Sequence, residues 1–259
     1  MNRMPKCCIF DLYGTLIDIR TDEYDPALWQ DMAALYAAFG ADYASDEMKN
    51  RFFALVCEEE AALSAETGYS YPEIDLRTVF QRLYFEAPKT HRHEYPIKDE
   101  DAFFVFLANA FRVRSRRRFA LYPDTVETLR YLKDHGFRLY LLSNAQKVFT
   151  LPEIEVLGLA PFFDTMYFSS EFRVRKPQRE FMAILLEKEG LAPDDCVMIG
   201  NDFSSDMKIA AEFAMQGVFL NTDGWCKETL RENVQALYPA RVKLIESGKI
   251  AELPKLLGI

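Results

Sequence analysis

The stretch Cys7-Cys8-Ile9-Phe10-Asp11-Leu12-Tyr13-Gly14-Thr15-Leu16 decides the fold of this chain. Its first four residues form a short apolar run, which predicts a buried strand. The run ends in an acid, and Gly14 favours a turn that brings the backbone close to whatever the acid contacts. Open parallel sheets bind their ligands beyond the carboxyl ends of the strands. We therefore expect Asp11 to lie in a functional site at the end of the first strand.

The composition of the whole chain excludes several classes of function. Hydrophobic residues make up 49% of the 259 residues, and the net charge of −9 argues against binding to nucleic acid or to an anionic membrane. No apolar run approaches the ~20 residues of a membrane span. Residues 1–6 lead directly into the first strand, so we expect no signal peptide. The five cysteines are an odd number, typical of reduced thiols in a cytoplasmic protein.

A long segment after the first strand has the pattern of helices. Apolar residues at helical spacing predict four helices, over 26–39, 45–67, 76–84 and 103–111. Residues 86–98, which contain two prolines and two histidines, are predicted to be a loop. We therefore expect residues 19–118 to form a helical domain with a small core of its own, inserted between residues 1–18 and 119–259.

The remaining sequence alternates between strand and helix patterns. Helices are predicted over 123–133 and 179–188, and strands over 138–142, 166–168, 196–199 and 217–220. Such alternation predicts an α/β fold, with a doubly wound, Rossmann-like parallel sheet as the core that carries the helical insert. The sequence has no G-x-G-x-x-G, so a dinucleotide site of the usual kind is not expected.

Polar residues follow three of the predicted strands. They are Asp11, the pair Ser143-Asn144 and the pair Asn201-Asp202, while Lys176 lies in a loop before a helix. Because the strand ends of one sheet converge, we expect these groups to share a crevice. Taken singly, each has a simpler explanation, since such residues also occupy turns, helix caps and solvated loops.

The order of these residues resembles the four motifs of the haloacid dehalogenase superfamily. The resemblance covers roughly residues 6–18 and 119–225, and it makes Asp11 the nucleophile, Ser143 the phosphate-binding hydroxyl and Lys176-Pro177 the third motif. Gly200-Asn201-Asp202, with Asp206 downstream, falls on the acidic fourth motif. An insert after the first motif is where many members carry a cap that specifies the substrate.

The resemblance also implies roles for individual residues. The catalytic residues it implies are Asp11, Tyr13 and Lys176. The substrate-binding residues are Thr15, Ser143, Asn144 and Lys176. The metal site comprises Asp11, Tyr13 through its backbone carbonyl, Asn201 or Asp202, and Asp206, which would orient Lys176 or a bound water.

The first motif departs from the family pattern D-x-D-G-T at one residue, because Tyr13 stands where the family has a second acid. The carbonyl of Tyr13 can still bind a metal. Its side chain supplies no carboxylic acid to protonate a leaving group, and help of that kind is worth roughly 10²–10⁴ in rate. A second departure is Asn201, which is neutral where the metal-binding acid usually stands.

The charges of the predicted site favour hydrolysis through a covalent aspartyl intermediate. A carboxylate nucleophile needs an electrophile whose charge is neutralised, and Lys176 with Ser143 can hold a phosphoryl group in this way. Asp11, Asp202 and Asp206 place three negative charges against one lysine, which calls for a cation such as Mg²⁺. We therefore expect an Mg²⁺-dependent phosphatase that acts on a small phosphorylated metabolite.

Two other functions fit the sequence. A 2-haloacid dehalogenase suits Tyr13, because halide leaves without a proton, but its halide-binding arginine cannot be placed in the insert. A binding protein with little turnover is favoured by Asn201 and opposed by Asp11 and Lys176. The arginine-rich segment 112–118 is expected to be solvated or paired with acids, or else to form an anion-attracting rim at the mouth of the site.

Overall fold

The computed structural model describes residues 6–91, 93, 97–237 and 240–259. Residues 1–5, which belong to the segment where we expect no signal peptide, lie outside the described residues. Part of the predicted loop over 86–98 also lies outside them. Within the described part of the chain, no helix is long and apolar enough to cross a lipid bilayer.

The described residues form one large parallel sheet and two small antiparallel pairs. The strands are β1 (Cys7–Phe10), β2 (Ile17–Thr21), β3 (Ala41–Asp42), β4 (Lys89–Thr90), β5 (Arg116–Leu121), β6 (Arg138–Ser143), β7 (Thr165–Phe168), β8 (Cys196–Gly200), β9 (Gln216–Leu220) and β10 (Val242–Ile245). The large sheet has the order β10-β9-β8-β1-β6-β7, so β1 lies at its centre. All neighbouring strands of this sheet run parallel.

Helices cover both faces of the large sheet. The helices are α1 (Pro26–Ala37), α2 (Ser45–Thr67), α3 (Leu76–Phe85), α4 (Glu100–Ser115), α5 (Thr125–Asp134), α6 (Lys147–Val156), α7 (Ser169–Phe172), α8 (Arg179–Glu189), α9 (Lys208–Glu212), α10 (Lys227–Ala236) and α11 (Leu253–Leu257). Apolar residues of α5, α6 and α11 pack on one face, and those of α8, α9 and α10 on the other.

This two-sided packing explains the unbroken apolar run of β1. Successive side chains of a strand point to opposite faces, so Cys8 and Phe10 enter one apolar cluster while Cys7 and Ile9 enter the other. All four are fully buried. Strands covered on both faces are typical of parallel sheets with crossover helices. The predicted fold class, a doubly wound α/β core, is confirmed.

Helices α1 to α4 make up most of the insert and bury a third apolar cluster. Its centre is aromatic: the rings of Phe52, Phe80 and Phe111 lie 5.1–5.6 Å apart, and Trp29 packs on Phe52 and Phe111. The four helices agree with the apolar spacing of the sequence. The predicted loop differs, because β4 within it pairs with β3 after α1.

The two chain segments that join the insert to the core pair with each other. Strand β2 runs antiparallel to β5, with Ile17 opposite Leu121, and this pairing was not predicted. Part of the arginine-rich segment lies in β5, where pairing between segments distant in sequence overrides its weak strand pattern. Its arginines pair with acids, including Arg117 with Asp25 and Arg118 with Asp18.

The sequence pattern also missed elements in the core. Helix α6 contains Pro152, which obscured its periodicity. The last strand, β10, has a half-exposed pattern at the edge of the sheet, and the short helices α10 and α11 follow the last strand that was predicted.

We expect the aromatic centre of the insert to dominate the stability of the insert. Phe80→Ala removes a fully buried ring and should lower the free energy of unfolding by about 3–5 kcal/mol. Phe106→Ala, at a ring on α4 that is 49% exposed, is the matched control and should cost less than about 1 kcal/mol. Urea unfolding followed by circular dichroism compares the two variants. Similar midpoints would contradict this description of the core.

Candidate active site

The register of the sheet brings the predicted polar residues to one edge. Phe10 pairs with Leu141 on β6 and with Ile199 on β8. The residues that follow these positions therefore surround Asp11. A cavity of about 220 Å³ opens here, lined by Asp11, Tyr13, Ser143, Asn144, Lys176, Asn201, Asp202, Ser205 and Asp206.

Lys176 is the central charge of this cavity. Its ammonium Nζ donates hydrogen bonds of 2.7 Å each to Asp11 Oδ1, to Asp206 Oδ1 and to the carbonyl oxygen of Leu142. Burial disfavours the charged amine, but Asp11 and Asp206 outweigh it and hold the pKa of Lys176 above its ordinary value. The lysine is therefore a fixed cation that orients one oxygen of Asp11.

The loop of Lys176 is fixed by a side chain of the neighbouring strand end. The Asn144 amide group donates to the Lys176 carbonyl at 2.9 Å, and its oxygen accepts from the Lys176 backbone N–H at 2.7 Å. Asn144 was expected to bind substrate. The structure shows that its amide forms both of these bonds to the backbone that carries the lysine.

Asp206 is held by bonds within the protein. One oxygen accepts from Lys176, and the other accepts from the backbone N–H of Asp202 at 3.1 Å. Burial raises the pKa of the Asp206 carboxyl, against the pull of Lys176. A Cβ at Gly200 would lie 2.1 Å from Asp206 Oδ2, so the absence of a side chain there leaves room for the acid. This geometry fits the predicted role of orienting Lys176.

Thr15 joins two of the predicted site residues. Its hydroxyl lies 3.3 Å from Asp11 Oδ2 and 3.2 Å from Asn201 Oδ1. The side chain is fully buried and does not line the cavity, and its substrate-binding role stays a prediction. Ser143 does line the cavity, and its hydroxyl lies 3.5 Å from Asp11 Oδ1.

Gly14 permits the close approach of the first motif and Asn201. Its φ of +81° lies in the left-handed region, and a Cβ there would lie 2.3 Å from Asn201 Nδ2. Its carbonyl accepts a hydrogen bond of 2.6 Å from the Thr222 hydroxyl. Both the backbone conformation and the space therefore require glycine.

The hydroxyl of Tyr13 is bonded to helix α6. The hydroxyl donates to Glu153 Oε2 at 2.5 Å and lies 3.0 Å from Thr150 Oγ1, both on α6. Burial raises the pKa of Tyr13 far above its ordinary value, against the pull of Arg112. Tyr13 was predicted to be a catalytic residue. The partners of its hydroxyl make it part of the contact between the core and the insert, and its catalytic role stays a prediction.

Glu153 is the centre of that contact. Arg112, on α4 of the insert, donates to Glu153 Oε1 at 2.8 Å and to Oε2 at 3.1 Å, and Arg116 donates to Oε1 at 3.2 Å. The guanidinium of Arg112 also lies 5.1 Å from the ring centre of Tyr13 and 4.8 Å from that of Phe149. A buried carboxylate of the core thus holds two arginines of the insert.

A second cavity, of about 330 Å³, adjoins the first and shares Tyr13 and Asn144 with it. We call it the chamber. It is lined by Tyr13, Ile19, Glu23, Phe52, Phe53, Val56, Glu60, Glu73, Ile74, Leu76, Arg112, Asn144, Ala145, Gln146 and Phe149. Most of these residues belong to the insert, so the chamber lies between the insert and the core.

The oxygen donors of the first cavity fit a hard cation such as Mg²⁺. The Asp11 carboxylate and the Asn201 amide oxygen both contact the Thr15 hydroxyl, so they lie close to one another. Within the described residues, no group of three or more His, Cys, Asp and Glu side chains is placed to hold a metal. Asp206 bonds Lys176, and Asp202 accepts from Ser204 and Ser205. The carboxylates of Asp202 and Asp206 are therefore engaged by other groups of the protein.

Several residues of this region were missed by the sequence analysis. Glu153 and Thr150 lie on α6, whose periodicity was obscured, and Gln146 precedes that helix. One signal was present: Glu153 falls four residues after Phe149, on the apolar face of the helix, where an unpaired acid is costly. That position predicts a buried cationic partner, and the nearby arginine-rich segment supplies one.

The close approach of Gly14 to Asn201 gives a prediction about stability. Gly14→Ala and Gly68→Ala both place a side chain at positive φ, which costs about 1–2 kcal/mol. Only Gly14→Ala also displaces Asn201 from Thr15, because nothing lies within 4 Å of a Cβ at Gly68. Urea unfolding should show Gly14→Ala to be less stable than Gly68→Ala by about 1 kcal/mol. Equal losses would mean that Asn201 moves freely.

Known proteins resemble this chain over different lengths. The glyceraldehyde 3-phosphate phosphatase of Methanocaldococcus jannaschii is 34% identical over 94 residues, 36% of this chain and 41% of that protein. The match therefore spans less than half of that relative. The phosphoglycolate phosphatase of Nitrosococcus oceani is 25% identical over 221 residues, 85% of this chain and 86% of that protein.

A solved structure and a family model cover more of the chain. The 2-haloacid dehalogenase from Pseudomonas syringae pv. Tomato DC3000 superposes with a TM-score of 0.65 over 98% of both chains, at 19% identity, which shows a shared fold. The model of the haloacid dehalogenase-like hydrolases matches residues 5–213. These residues include Asp11, Ser143, Lys176 and Asp206, so the chain belongs to the haloacid dehalogenase-like hydrolases.

Proposed function

We propose that the protein is a phosphatase for small phosphate monoesters and that Asp11 is its nucleophile. The observation that supports this most is the Asp11 carboxylate itself. It lies at the end of the central strand, faces an open cavity, and has one oxygen bonded to Lys176 and the other to Thr15. A carboxylate oriented in this way is suited to covalent catalysis.

In the first step, an oxygen of Asp11 attacks the phosphorus of the ester. A bond forms between this oxygen and phosphorus, and the bond from phosphorus to the ester oxygen breaks. Lys176 and Ser143 stabilise the negative charge of the phosphoryl group during the transfer. In the second step, water attacks the phosphorus, releases inorganic phosphate and restores the Asp11 carboxylate.

The leaving group receives no proton from Tyr13, which stands at the position of the second acid of the motif. The Tyr13 hydroxyl donates a hydrogen bond to Glu153, and burial raises the pKa of Tyr13. The departing oxygen therefore takes its proton from water. Esters of weakly basic alcohols, such as phenols, depart more readily under these conditions than alkyl esters do.

Mg²⁺ would be held by the Asp11 carboxylate, the Tyr13 carbonyl and an oxygen of Asn201 or Asp202. When bound, it offsets negative charge on the phosphoryl oxygens and on Asp11. Asp206 keeps Lys176 in place beside this site. Because Asn201 is neutral where the family has an acid, the donor set carries less negative charge and favours weak binding of Mg²⁺. A protein located in the cytoplasm would have Mg²⁺ available.

Dehalogenation is the second candidate function, and Tyr13 favours it, since halide needs no proton. Arg112 is an arginine of the insert that lines the chamber. Its guanidinium makes two hydrogen bonds to Glu153, so these donors are already occupied within the protein. This pairing weighs against binding of a haloacid carboxylate by Arg112 and favours the phosphatase.

The experiment that tests the proposal measures phosphate release from phenyl phosphate and chloride release from 2-chloropropionate, both with Mg²⁺. We expect the wild-type protein to release phosphate. Asp11→Asn should lower this turnover by roughly 10³-fold or more, because it removes the nucleophile. Asp134→Asn, at an exposed acid on α5, is the control and should keep the wild-type rate.

Circular dichroism should show that Asp11→Asn remains folded, since Lys176 keeps Asp206 as a partner. Wild-type turnover in Asp11→Asn would overturn the covalent mechanism. Chloride release without phosphate release would replace the phosphatase with a dehalogenase. Absence of both would leave the binding protein as the better description.

A second prediction concerns the metal. Asn201→Asp adds a carboxylate next to Asp11 and should raise the affinity for Mg²⁺ about tenfold, because two negative charges then face the cation. Asn233→Asp, on α10, adds the same charge elsewhere and should leave the affinity unchanged. Titration calorimetry at millimolar Mg²⁺ measures both variants. If neither the wild-type protein nor Asn201→Asp binds Mg²⁺, the proposed metal site is wrong.

A further inference from the structure

The chamber is placed to receive the leaving group of the ester. It adjoins the cavity of Asp11 and shares Tyr13 and Asn144 with it. A phosphoryl group at Asp11 would therefore point its ester oxygen towards the chamber or towards solvent. A volume of about 330 Å³ lies at the lower end of the range for small-molecule pockets and is ample for one ring with a short substituent.

Aromatic and aliphatic side chains form much of the chamber wall. Phe52 and Phe53 of α2 and Phe149 of α6 face it. Such surfaces favour an apolar leaving group, and the faces of aromatic rings also attract cations. The walls alone do not distinguish a neutral group from an amine, so the charges at the chamber decide between them.

Acidic groups outnumber basic groups around the chamber. Glu60 lies 3.2 Å from Arg175 and Glu73 lies 4.0 Å from it, so two carboxylates share one guanidinium. Gln146 and Ser169 donate to Glu73 at 2.7 and 3.1 Å. Burial raises the pKa of the Glu73 carboxyl despite these partners. A further anion placed here would be unfavourable.

Glu23 adds a further acid, and its position makes it the best candidate for contact with a ligand. It follows β2 and lines the chamber. Within the described residues its carboxylate makes no hydrogen bond or close ion pair, while burial raises the pKa of this carboxyl against the pull of Arg112. Arg112, the basic residue of the lining, directs its hydrogen bonds to Glu153 and makes none to Glu23, so the Glu23 carboxylate keeps its acceptor sites for a ligand.

We propose that the chamber selects phosphate monoesters whose leaving group is apolar and ends in an amine, and that Glu23 binds this amine. The inference rests on the proposed phosphatase function and names its substrate class. It also implies discrimination against carboxylate-bearing substrates, because a carboxylate in the chamber would face Glu23 and Glu73 at short range.

Three aryl phosphates of similar leaving-group basicity test this inference. They are phenyl phosphate, 4-(aminomethyl)phenyl phosphate and 4-(carboxymethyl)phenyl phosphate. For the wild-type protein we expect kcat/KM for the amine ester to exceed that for the carboxylate ester about tenfold or more. Glu23→Gln should reduce this ratio to near one. Glu187→Gln, at an exposed acid on α8, should keep the wild-type ratio.

A binding measurement separates failure of this inference from failure of the phosphatase proposal. Ligand-observed NMR compares 4-(aminomethyl)phenol with 4-hydroxyphenylacetate, neither of which carries phosphate. If the amine binds more tightly and Glu23→Gln removes the difference, the chamber assignment holds even without turnover. If the esters are hydrolysed at equal rates, or the carboxylate ester faster, the assignment is overturned and the phosphatase stands. Absence of both binding and turnover would overturn both proposals.

Discussion

The buried ammonium of Lys176 is the interaction on which the rest of the site depends. An isolated charge in this position would be strongly disfavoured, and it is tolerated because two carboxylates and a carbonyl bond it. These partners come from the residue after β1, from the end of β6 and from the helical turn after β8, so one cation links the ends of three strands. Asn144 holds the lysine backbone in turn, which makes the position of Asp11 a property of the whole sheet edge.

A second buried ion group determines how the insert sits on the core. Glu153 takes hydrogen bonds from Arg112, Arg116 and Tyr13. Tyr13, which stands where the family has a second acid, thus contributes its hydroxyl to the contact between the core and the insert.

The sequence was sufficient for the parts of the molecule that depend on local pattern. The position of Asp11 after a buried strand, and of Ser143 and Asn201 after two others, implied convergence because parallel strands share an edge. Contacts that join distant segments were not accessible in this way. The Tyr13–Glu153 bond spans 140 residues, and the pairing of β2 with β5 joins the two ends of the insert. The contacts of the Thr15 hydroxyl were likewise not accessible, because a motif gives the residue but not the direction of its side chain.

The pairing of β2 with β5 has a mechanical consequence. The two crossings form one ribbon, and its first residue, Ile17, accepts a hydrogen bond of 2.9 Å from the Gly14 backbone N–H. The turn that follows Asp11 is therefore hydrogen-bonded to the strand that leads into the insert. A displacement of the insert relative to the core would therefore also act on the turn that follows Asp11, so the position of this carboxylate is coupled to the position of the insert.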